Sequence, residues 1–225
     1  TDAYPAGFFF TTDGGKSWKK GDGPKNGTWY TAALTGNGSG FLAGNHNSLA
    51  NLANFKALIT ENSEISNRSF KSSHNNLKTI FLVGQGSQIL ANDTLVSNSW
   101  TSLNTGLSTE LASCIDFNSI HGTGDHLWVA GKPGTVLFHS KDAGKTWEII
   151  KTNNNATLNA VFFIDKMNGW TAGDFGTILA TNDSGKTWAI QKRGASQAKT
   201  LVIQTGLKDV SPEISAFLGI DKKNI

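Results

Sequence analysis

Short runs in which apolar and polar residues alternate recur along the chain, separated by turns rich in Gly, Asn, Ser and Thr. Four of these runs lie at residues 28–34, 77–81, 117–120 and 158–163. A period of two places successive side chains on opposite faces of a strand, so each run predicts a short β-strand. No apolar run approaches the roughly 18 residues that a membrane-spanning helix needs. The pattern therefore predicts an all-β chain of many short strands, with no membrane span.

A longer unit, made of a strand, a glycine-rich turn and a second strand, repeats along the chain. Residues 127–137 and 169–179 match closely, and weaker copies lie at residues 80–90 and 40–49. The glycines that mark the four copies are 40, 47 and 42 residues apart, at Gly44, Gly84, Gly131 and Gly173. Repeats of about 40–50 residues are typical of the blades of a β-propeller. We therefore predict a propeller in which the four alternating runs form the inner strands of the blades.

Three segments share the motif (S/T)-x-D-x-G-K-(S/T)-W, at residues 11–18, 140–147 and 181–188. In such a turn the Asp carboxylate accepts hydrogen bonds from the backbone N–H groups that follow it, and the Gly adopts a positive φ without steric cost. The Trp enters the next strand and brings a large apolar surface between neighbouring sheets. We predict a structural rather than a catalytic role for the motif residues. They are Asp13, Gly15, Trp18, Asp142, Gly144, Trp147, Asp183, Gly185 and Trp188.

These units predict one domain over residues 1–225, an all-β propeller of about five blades with three to four antiparallel strands each, or a part of a larger propeller. The predicted blades are residues 1–20 with 200–205, then 28–75, 77–103, 111–150 and 157–192, followed by a tail at 206–225. The run at residues 200–204 would pair with the N-terminal half-unit and close the ring, which removes two exposed sheet edges. Pro212 and Gly219 flank an apolar stretch and predict a short helix in the tail.

The repeated motif matches the Asp-box, also called the bacterial neuraminidase repeat, and the blades resemble those of the photosystem II assembly and stability factor family. The resemblance is carried by residues 169–179 followed directly by an Asp-box, and it extends over residues 117–190. It implies a scaffold or assembly role through protein contacts, in an extracytoplasmic location. The chain departs from the photosynthetic members in its arginine content. Arg68 and Arg193 are its only arginines, where those members carry a basic patch.

Asp-boxes also occur in sialidases and in xyloglucan-cleaving propellers, so the residues must be compared with two hydrolytic mechanisms. A sialidase needs three arginines and a Tyr nucleophile, which two arginines and the two tyrosines, Tyr4 and Tyr30, do not supply. A two-carboxylate glycosidase needs only an acid and an ionised partner at a fixed separation. The candidates outside the Asp-boxes are Asp116, Asp125, Asp165 and Asp174, although turn formation explains the last three. A fragment of a propeller glycoside hydrolase therefore stays an alternative.

Neither a metal nor a cofactor is predicted. Cys114 is the only cysteine, which excludes an intrachain disulfide and a thiolate cluster, and we expect it to be buried. The five histidines are spread along the chain at His46, His74, His121, His126 and His139, and we predict surface turns around His121 and His126. The net charge is only +3, and the basic residues are almost all Lys, so the sequence does not favour binding to nucleic acid.

The sequence therefore predicts a non-catalytic propeller that binds a protein partner as an interaction or assembly scaffold. A carbohydrate-binding propeller is the alternative binding function, because exposed aromatic rings stack on sugars. Trp29, Asp125 and Asp174 are the candidate ligand contacts. Trp128 and Trp170 occupy the same point of the repeat, which favours packing between blades.

Overall fold

The computed structural model describes residues 7–23, 28–36, 38–46, 48–59, 68–76, 78–92 and 100–192. Its strands are β1 (Phe9–Phe10), β2 (Lys19–Lys20), β3 (Trp29–Gly36), β4 (Ser39–Gly44), β5 (Leu49–Ala53), β6 (Lys56–Ile59), β7 (Phe70–Asn75), β8 (Ile80–Gly84), β9 (Ile89–Asn92), β10 (Thr101–Ser102), β11 (Asp116–Thr123), β12 (His126–Lys132), β13 (Val136–Ser140), β14 (Glu148–Ile149), β15 (Leu158–Phe163), β16 (Gly169–Gly173), β17 (Thr177–Thr181) and β18 (Ala189–Lys192). One short helix, α1 (Thr109–Cys114), precedes β11, and a 3₁₀ turn spans Asp174–Gly176. No helix in these ranges is long and apolar enough to cross a membrane.

The strands form antiparallel sheets in simple chain order, as the blades of a propeller do. The sheets are β3–β6, β7–β10, β11–β14 and β15–β18, and β1 pairs with β2 in a separate hairpin. The first strands of successive sheets, β3, β7, β11 and β15, contact one another and form the inner side of the arrangement. The all-β propeller fold is thus confirmed. The runs at residues 28–34, 117–120 and 158–163 lie in inner strands as predicted.

The second blade begins earlier in the chain than the sequence indicated. Strand β7 pairs with β8, with Phe70 opposite Gly84 and His74 opposite Phe81, so it cannot close the preceding sheet. The predicted blade over residues 28–75 is therefore too long, and the run at 77–81 leads into the second strand rather than forming the inner one. Apart from Phe70, β7 is polar, and its side chains contact the inner strands on both sides instead of an apolar core. Ser73 bonds to the first blade, whereas Ser72 and His74 contact the third.

The other predicted segments have different outcomes. The strands of the third and fourth sheets fall within residues 111–150 and 157–192. Residues 200–205 and the predicted helix in the tail lie outside the described residues. Cys114 was expected to be buried, which is wrong: it is exposed at the end of α1, a surface helix that begins at its N-cap Ser108.

The second strands β4, β8 and β12 are buried on both faces, because alternate side chains pack against the elements on either side. Trp128 packs with the fourth blade, whereas its neighbour Val129 packs with the second. The Trp128 ring stacks on Phe163 with centroids 3.5 Å apart, and its Nε1–H donates to the Ser184 carbonyl at 3.1 Å. Trp128 therefore lies between blades, as predicted.

Trp170 occupies the corresponding position of the fourth blade but remains 37% exposed. The corresponding aromatic residues of the first three blades, Phe41, Phe81 and Trp128, are all buried. Trp170 differs because no blade follows the fourth sheet within the described part of the chain. Phe162, opposite Trp170 on the first strand, is exposed on the same face.

Side-chain hydrogen bonds join the inner strands of neighbouring blades. An inner strand is a sheet edge, so the backbone groups on its outer side lack a partner strand. Polar side chains of the adjacent inner strand supply the missing partners. The bonds run from Ile120 N to Ser72 Oγ (3.3 Å), from Val161 N to Ser119 Oγ (3.2 Å), from Phe163 N to His121 Nδ1 (3.2 Å), from Asn75 Nδ2 to Leu34 O (3.0 Å) and from Asn118 Nδ2 to Leu158 O (3.0 Å).

Replacing Trp128 with Ala should lower the free energy of unfolding by about 3–5 kcal/mol, because a fully buried indole is lost between two blades. The matched change Trp170→Ala should cost clearly less, about 1–2 kcal/mol, since this ring is partly exposed already. Urea denaturation followed by fluorescence and circular dichroism measures both variants. Equal losses for the two would contradict the exposure of the Trp170 face.

Candidate functional site

The three Asp-boxes have the same hydrogen bonds, and the box that joins β13 to β14 illustrates them. Asp142 Oδ1 accepts from Ser140 Oγ (2.8 Å) and Thr146 N (2.9 Å), and Oδ2 accepts from Thr146 Oγ1 (2.6 Å). Ser140 Oγ in turn accepts from Gly144 N at 2.8 Å. The Gly has a φ of +87°, a conformation that favours glycine. Asp13 and Asp183 make the same set of contacts in their own boxes.

These hydrogen bonds determine the chemistry of the Asp-box carboxylates. Donation from the Thr146 hydroxyl and amide lowers the pKa of Asp142 to about 2, and the corresponding donors lower the pKa of Asp13 and Asp183 to about 2. The carboxylates are therefore ionised at neutral pH, with both oxygens occupied by neighbouring groups. Such groups hold a turn together and are unsuited to giving up a proton as a general acid.

The Asp-box tryptophans differ in burial. Trp147 and Trp188 are partly buried against the clusters between blades, and their indole N–H groups donate to Gly144 O (3.1 Å) and Gly185 O (3.0 Å). Trp18 is 62% exposed, contrary to the expectation of packing between sheets. The cause is that β1 and β2 form a two-stranded hairpin rather than a complete blade.

The three predicted ligand contacts are not brought together. Trp29 is partly buried at the start of β3, against the cluster that contains Leu42. Asp125 is exposed in the β11–β12 turn, and Asp174 is exposed in the β16–β17 turn, where its Oδ1 accepts from Asn159 Nδ2 at 2.8 Å. In a meander of this order the two turns lie at opposite ends of the blades. Asp125 and Asp174 therefore do not form the carboxylate pair of a glycosidase.

The buried His139 and the partly buried His126 form a hydrogen-bonded chain with Glu148 in the third blade, which the sequence did not predict. Glu148 accepts from His139 Nδ1 (3.1 Å), so His139 Nε2 is the acceptor that faces His126 Nδ1 at 3.0 Å. Lys141 Nζ lies 2.7 Å from Glu148. His139 is stacked on Trp128, and burial lowers its pKa to about 4. The prediction of surface turns is wrong here, since His126 begins β12 and His121, half-buried in β11, accepts from the Phe163 amide.

No group of three or more His, Cys, Asp or Glu side chains that could hold a metal ion occurs among the residues the structure describes. His74 and His121 approach each other across the second and third blades, with ring centroids 5.2 Å apart. Burial, and then the charge of His121, lower the pKa of His74 to about 4. Both pairs of histidines are therefore neutral packing elements at neutral pH.

A cavity of about 420 Å³ lies at the end of the second blade opposite the Asp-box end, between the β8–β9 turn and the connection from β10 to β11. Among the described residues, its lining is mostly polar, with two leucines, one alanine and one glycine, and contains one charged side chain. The lining residues are Arg68, Gly86, Ser87, Gln88, Ser102, Leu103, Asn104, Thr105, Leu107, Thr109, Ala112 and Ser113. We call this the Arg68 pocket.

Hydrogen bonds from Ser87 to two backbone carbonyl groups hold the walls of the Arg68 pocket together. Ser87 N donates to Ile115 O at 2.6 Å, and Ser87 Oγ donates to Ala112 O at 3.1 Å, which fastens α1 to the β8–β9 turn. Leu103 and Leu107 pack against the cluster between the second and third blades. The pocket is therefore a formed concavity rather than a gap between independent loops.

Sequence reasoning did not find this pocket. Its residues are spread over three separate segments, and only Gly86, Ser87 and Gln88 belong to a repeated unit, the weak copy at residues 80–90. The chain has two arginines, and one of them, Arg68, lines this concavity. The rarity of arginine in the sequence was the one signal that could have drawn attention to Arg68.

Comparison with known proteins agrees with the predicted resemblance. The family model for the photosynthesis system II assembly factor YCF48 matches residues 57–158, and the BNR/Asp-box repeat model matches residues 9–20. The photosystem II assembly protein Ycf48 of Synechococcus sp. is 33% identical over 100 residues, which are 43% of this chain and 29% of that protein. The chain thus covers under a third of this relative's length.

Solved structures show the same fold. YCF48 from Cyanidioschyzon merolae has a TM-score of 0.60 at 20% identity, covering 82% of this chain and 64% of that one. YCF48 bound to D1 peptide has a TM-score of 0.50 at 21% identity, covering 56% and 42%. An ancestral GH74 enzyme has a TM-score of 0.55 at 16% identity, covering 72% and 24%. The chain is an Asp-box β-propeller protein similar to the photosystem II assembly factors.

Replacing Asp142 with Asn should lower the free energy of unfolding at pH 7 by about 1 kcal/mol, because charge-assisted hydrogen bonds become neutral ones or are lost. The pKa of Asp142 is about 2 in the folded protein against 3.8 ordinarily, so its contribution is complete above about pH 4 and is lost as the pH falls towards 2. The variant should therefore lose less stability than wild type over that range. Urea denaturation at pH 7, 4 and 2.5 measures both effects. Asp125→Asn, with the same charge change at an exposed turn, is the control, and equal behaviour of the two variants would refute the prediction.

Acidification from pH 7 to pH 5 should destabilise the protein through its buried histidines. His139 has a pKa of about 4 in the folded protein against 6.5 ordinarily. Between these two pH values the unfolded chain binds a proton at this residue and the folded protein does not. Stability is complete above pH 6.5 and falls as the pH drops towards 4. His139→Phe keeps a ring against Trp128, and it should lose less stability than wild type between pH 7 and pH 5. His46→Asn, at an exposed turn, is the control. An unchanged pH dependence in His139→Phe would show that this imidazole is not the group responsible.

Proposed function

We propose that this chain is a non-catalytic protein-binding scaffold and that the Arg68 pocket receives a segment of the partner protein. The observation that carries the proposal is the chemistry of the pocket lining. It combines hydrogen-bonding side chains with an apolar wall of Leu103 and Leu107, on a framework fastened by Ser87. Concave sites with a few placed polar groups on a mostly fixed scaffold are typical binding sites.

The same lining argues against hydrolysis. None of the described residues that line the Arg68 pocket is Asp, Glu, His or Cys, so this part of the lining offers neither the carboxylate pair of a glycosidase nor a nucleophile with its base. Elsewhere in the described part of the chain, the Asp-box carboxylates are ionised and occupied, and Asp125 and Asp174 lie at opposite ends of the blades. A binding role therefore fits these side chains better than a catalytic one.

The position of the pocket suits an extended segment of polypeptide. Strand β10 is the outermost strand of the second blade, and both its residues, Thr101 and Ser102, are exposed. An outer strand can pair with a segment from another chain through its free backbone groups. A structurally similar protein, YCF48, has been captured with a D1 peptide, which supports a peptide as the kind of ligand this fold accepts.

The identity of the partner and its location belong to the same proposal. The partner need not be a photosystem protein, since this chain has only two arginines. The proposal includes an extracytoplasmic site of action, in keeping with the resemblance to the assembly factor family. A carbohydrate ligand is the competing function, and exposed rings such as those of Trp18, Tyr30 and Trp170 would serve it.

Site-specific photo-crosslinking in the native extract tests the proposal. A benzophenone amino acid at Thr105, inside the pocket, should crosslink to a discrete protein, whereas the same group at Lys145, in an Asp-box at the other end, should not. Ser102→Trp should fill the pocket and abolish the crosslink. Thr101→Trp, the preceding residue on the same exposed strand but outside the lining, should leave it intact. Crosslinks to glycan alone, or equal effects of the two Trp variants, would overturn the proposal.

A further inference from the structure

We infer that the ligand of the Arg68 pocket presents a carboxylate to the Arg68 guanidinium, with an apolar side chain beside it. The inference rests on the proposed function and specifies the chemistry of the segment that the pocket receives. A carboxylate can come from the C-terminus of a partner chain or from an Asp or Glu side chain. The interaction with the guanidinium is the same in both cases.

The guanidinium of Arg68 is positioned before any ligand arrives. A Cβ built on Gly86 would lie 0.9 Å from Arg68 Nη1, so the side chain occupies the space that any other residue at this turn would fill. Gly86 also has a φ of +68°, which favours glycine. The turn therefore accommodates the guanidinium directly against its backbone. A planar group held in this way loses less entropy when it forms paired hydrogen bonds to a carboxylate.

The charge of Arg68 is not neutralised by the described part of the protein. No ion pair joins Arg68 to a carboxylate in this part, although Lys56, Lys132 and Lys141 each have one. Asp116 is the acidic side chain at the same turn. Its Oδ1 accepts from Gly86 N at 3.0 Å and its Oδ2 lies 3.6 Å from Lys132 Nζ. Its ion pair is therefore with Lys132 and not with Arg68. The pocket thus carries one unpaired positive charge.

The other lining groups indicate what stands next to the carboxylate. Gln88 lines the pocket, and its covered Oε1 atom has no hydrogen-bond partner among the described residues. It can accept from an N–H group of the ligand once the side chain turns towards the cavity. Leu103 and Leu107 offer an apolar surface on the side of the β10–α1 connection. A carboxylate, an N–H donor and an apolar side chain occur together in a peptide segment. A single guanidinium matches one carboxylate better than a doubly charged phosphate, which usually recruits several cations.

Peptide binding tests this inference on the whole chain. Three random octapeptide libraries are used: one without Asp and Glu but with a free C-terminal acid, one with Asp and Glu but an amidated C-terminus, and one with neither. We expect enrichment from the first or the second library, which identifies the source of the carboxylate, and none from the third. Equal enrichment from the third library would overturn the inference.

Affinities of an enriched peptide, measured by fluorescence polarisation, test the role of Arg68. Arg68→Gln should weaken binding by about tenfold or more, because a charge-assisted pair is lost. Arg68→Lys should bind with intermediate affinity, since it keeps the charge without the paired geometry. Lys145→Gln, with the same charge change outside the pocket, should bind as wild type does, and thermal unfolding confirms that all variants are folded.

The outcomes separate the two proposals. Ser102→Trp could abolish binding while Arg68→Gln leaves it unchanged. That result would refute the inferred carboxylate contact and retain the pocket as a protein-binding site. Binding that neither variant affects would refute both proposals, and so would the absence of binding from all three libraries.

Discussion

The structure depends on the burial of each blade against the next. The second strands of the first three blades each carry an aromatic side chain that is buried against the following blade. The stack of His139, Trp128 and Phe163 shows how one such ring joins the third and fourth blades. No sheet of four short strands buries enough apolar surface alone, so the blades are stable only in contact. Where no following blade is described, Trp170 stays partly exposed.

The polar residues of the chain complete this arrangement. Ser, Asn and His side chains on the inner strands bond to backbone groups of the adjacent blade, which are edge groups without a partner strand. At the outer side the Asp-box carboxylates bond to the amide and hydroxyl groups of their own turns. The high content of Ser, Thr and Asn is therefore part of the folding mechanism, because these residues satisfy backbone groups that a continuous sheet would otherwise pair.

The candidate site lies where the repeat is irregular. The chain between β10 and β11 is longer than a plain turn and contains α1, and Ser87 ties this connection to the end of the second blade. A concavity forms between the two, and Arg68 is the one charged side chain in the part of its wall that the structure describes. Rigid folds bind varied partners in this way: the scaffold is regular, and the residues that recognise the partner lie in one divergent connection. Similarity to the assembly factors thus identifies the fold. The chemistry of the pocket determines which ligand this chain is suited to bind.

The sequence by itself determined the features that are local. Each Asp-box is closed by contacts no more than four residues apart, so its pattern could be recognised directly, and the blade period followed from repeated turns. The continuous apolar runs of the second strands also follow from burial on two faces. Strand β7 could not be recognised in this way, because its polar side chains have their partners in another blade. Only the tertiary structure could reveal the Arg68 pocket, since Arg68, Gln88 and Leu107 are far apart in the chain and are brought together by the docking of α1 on a turn.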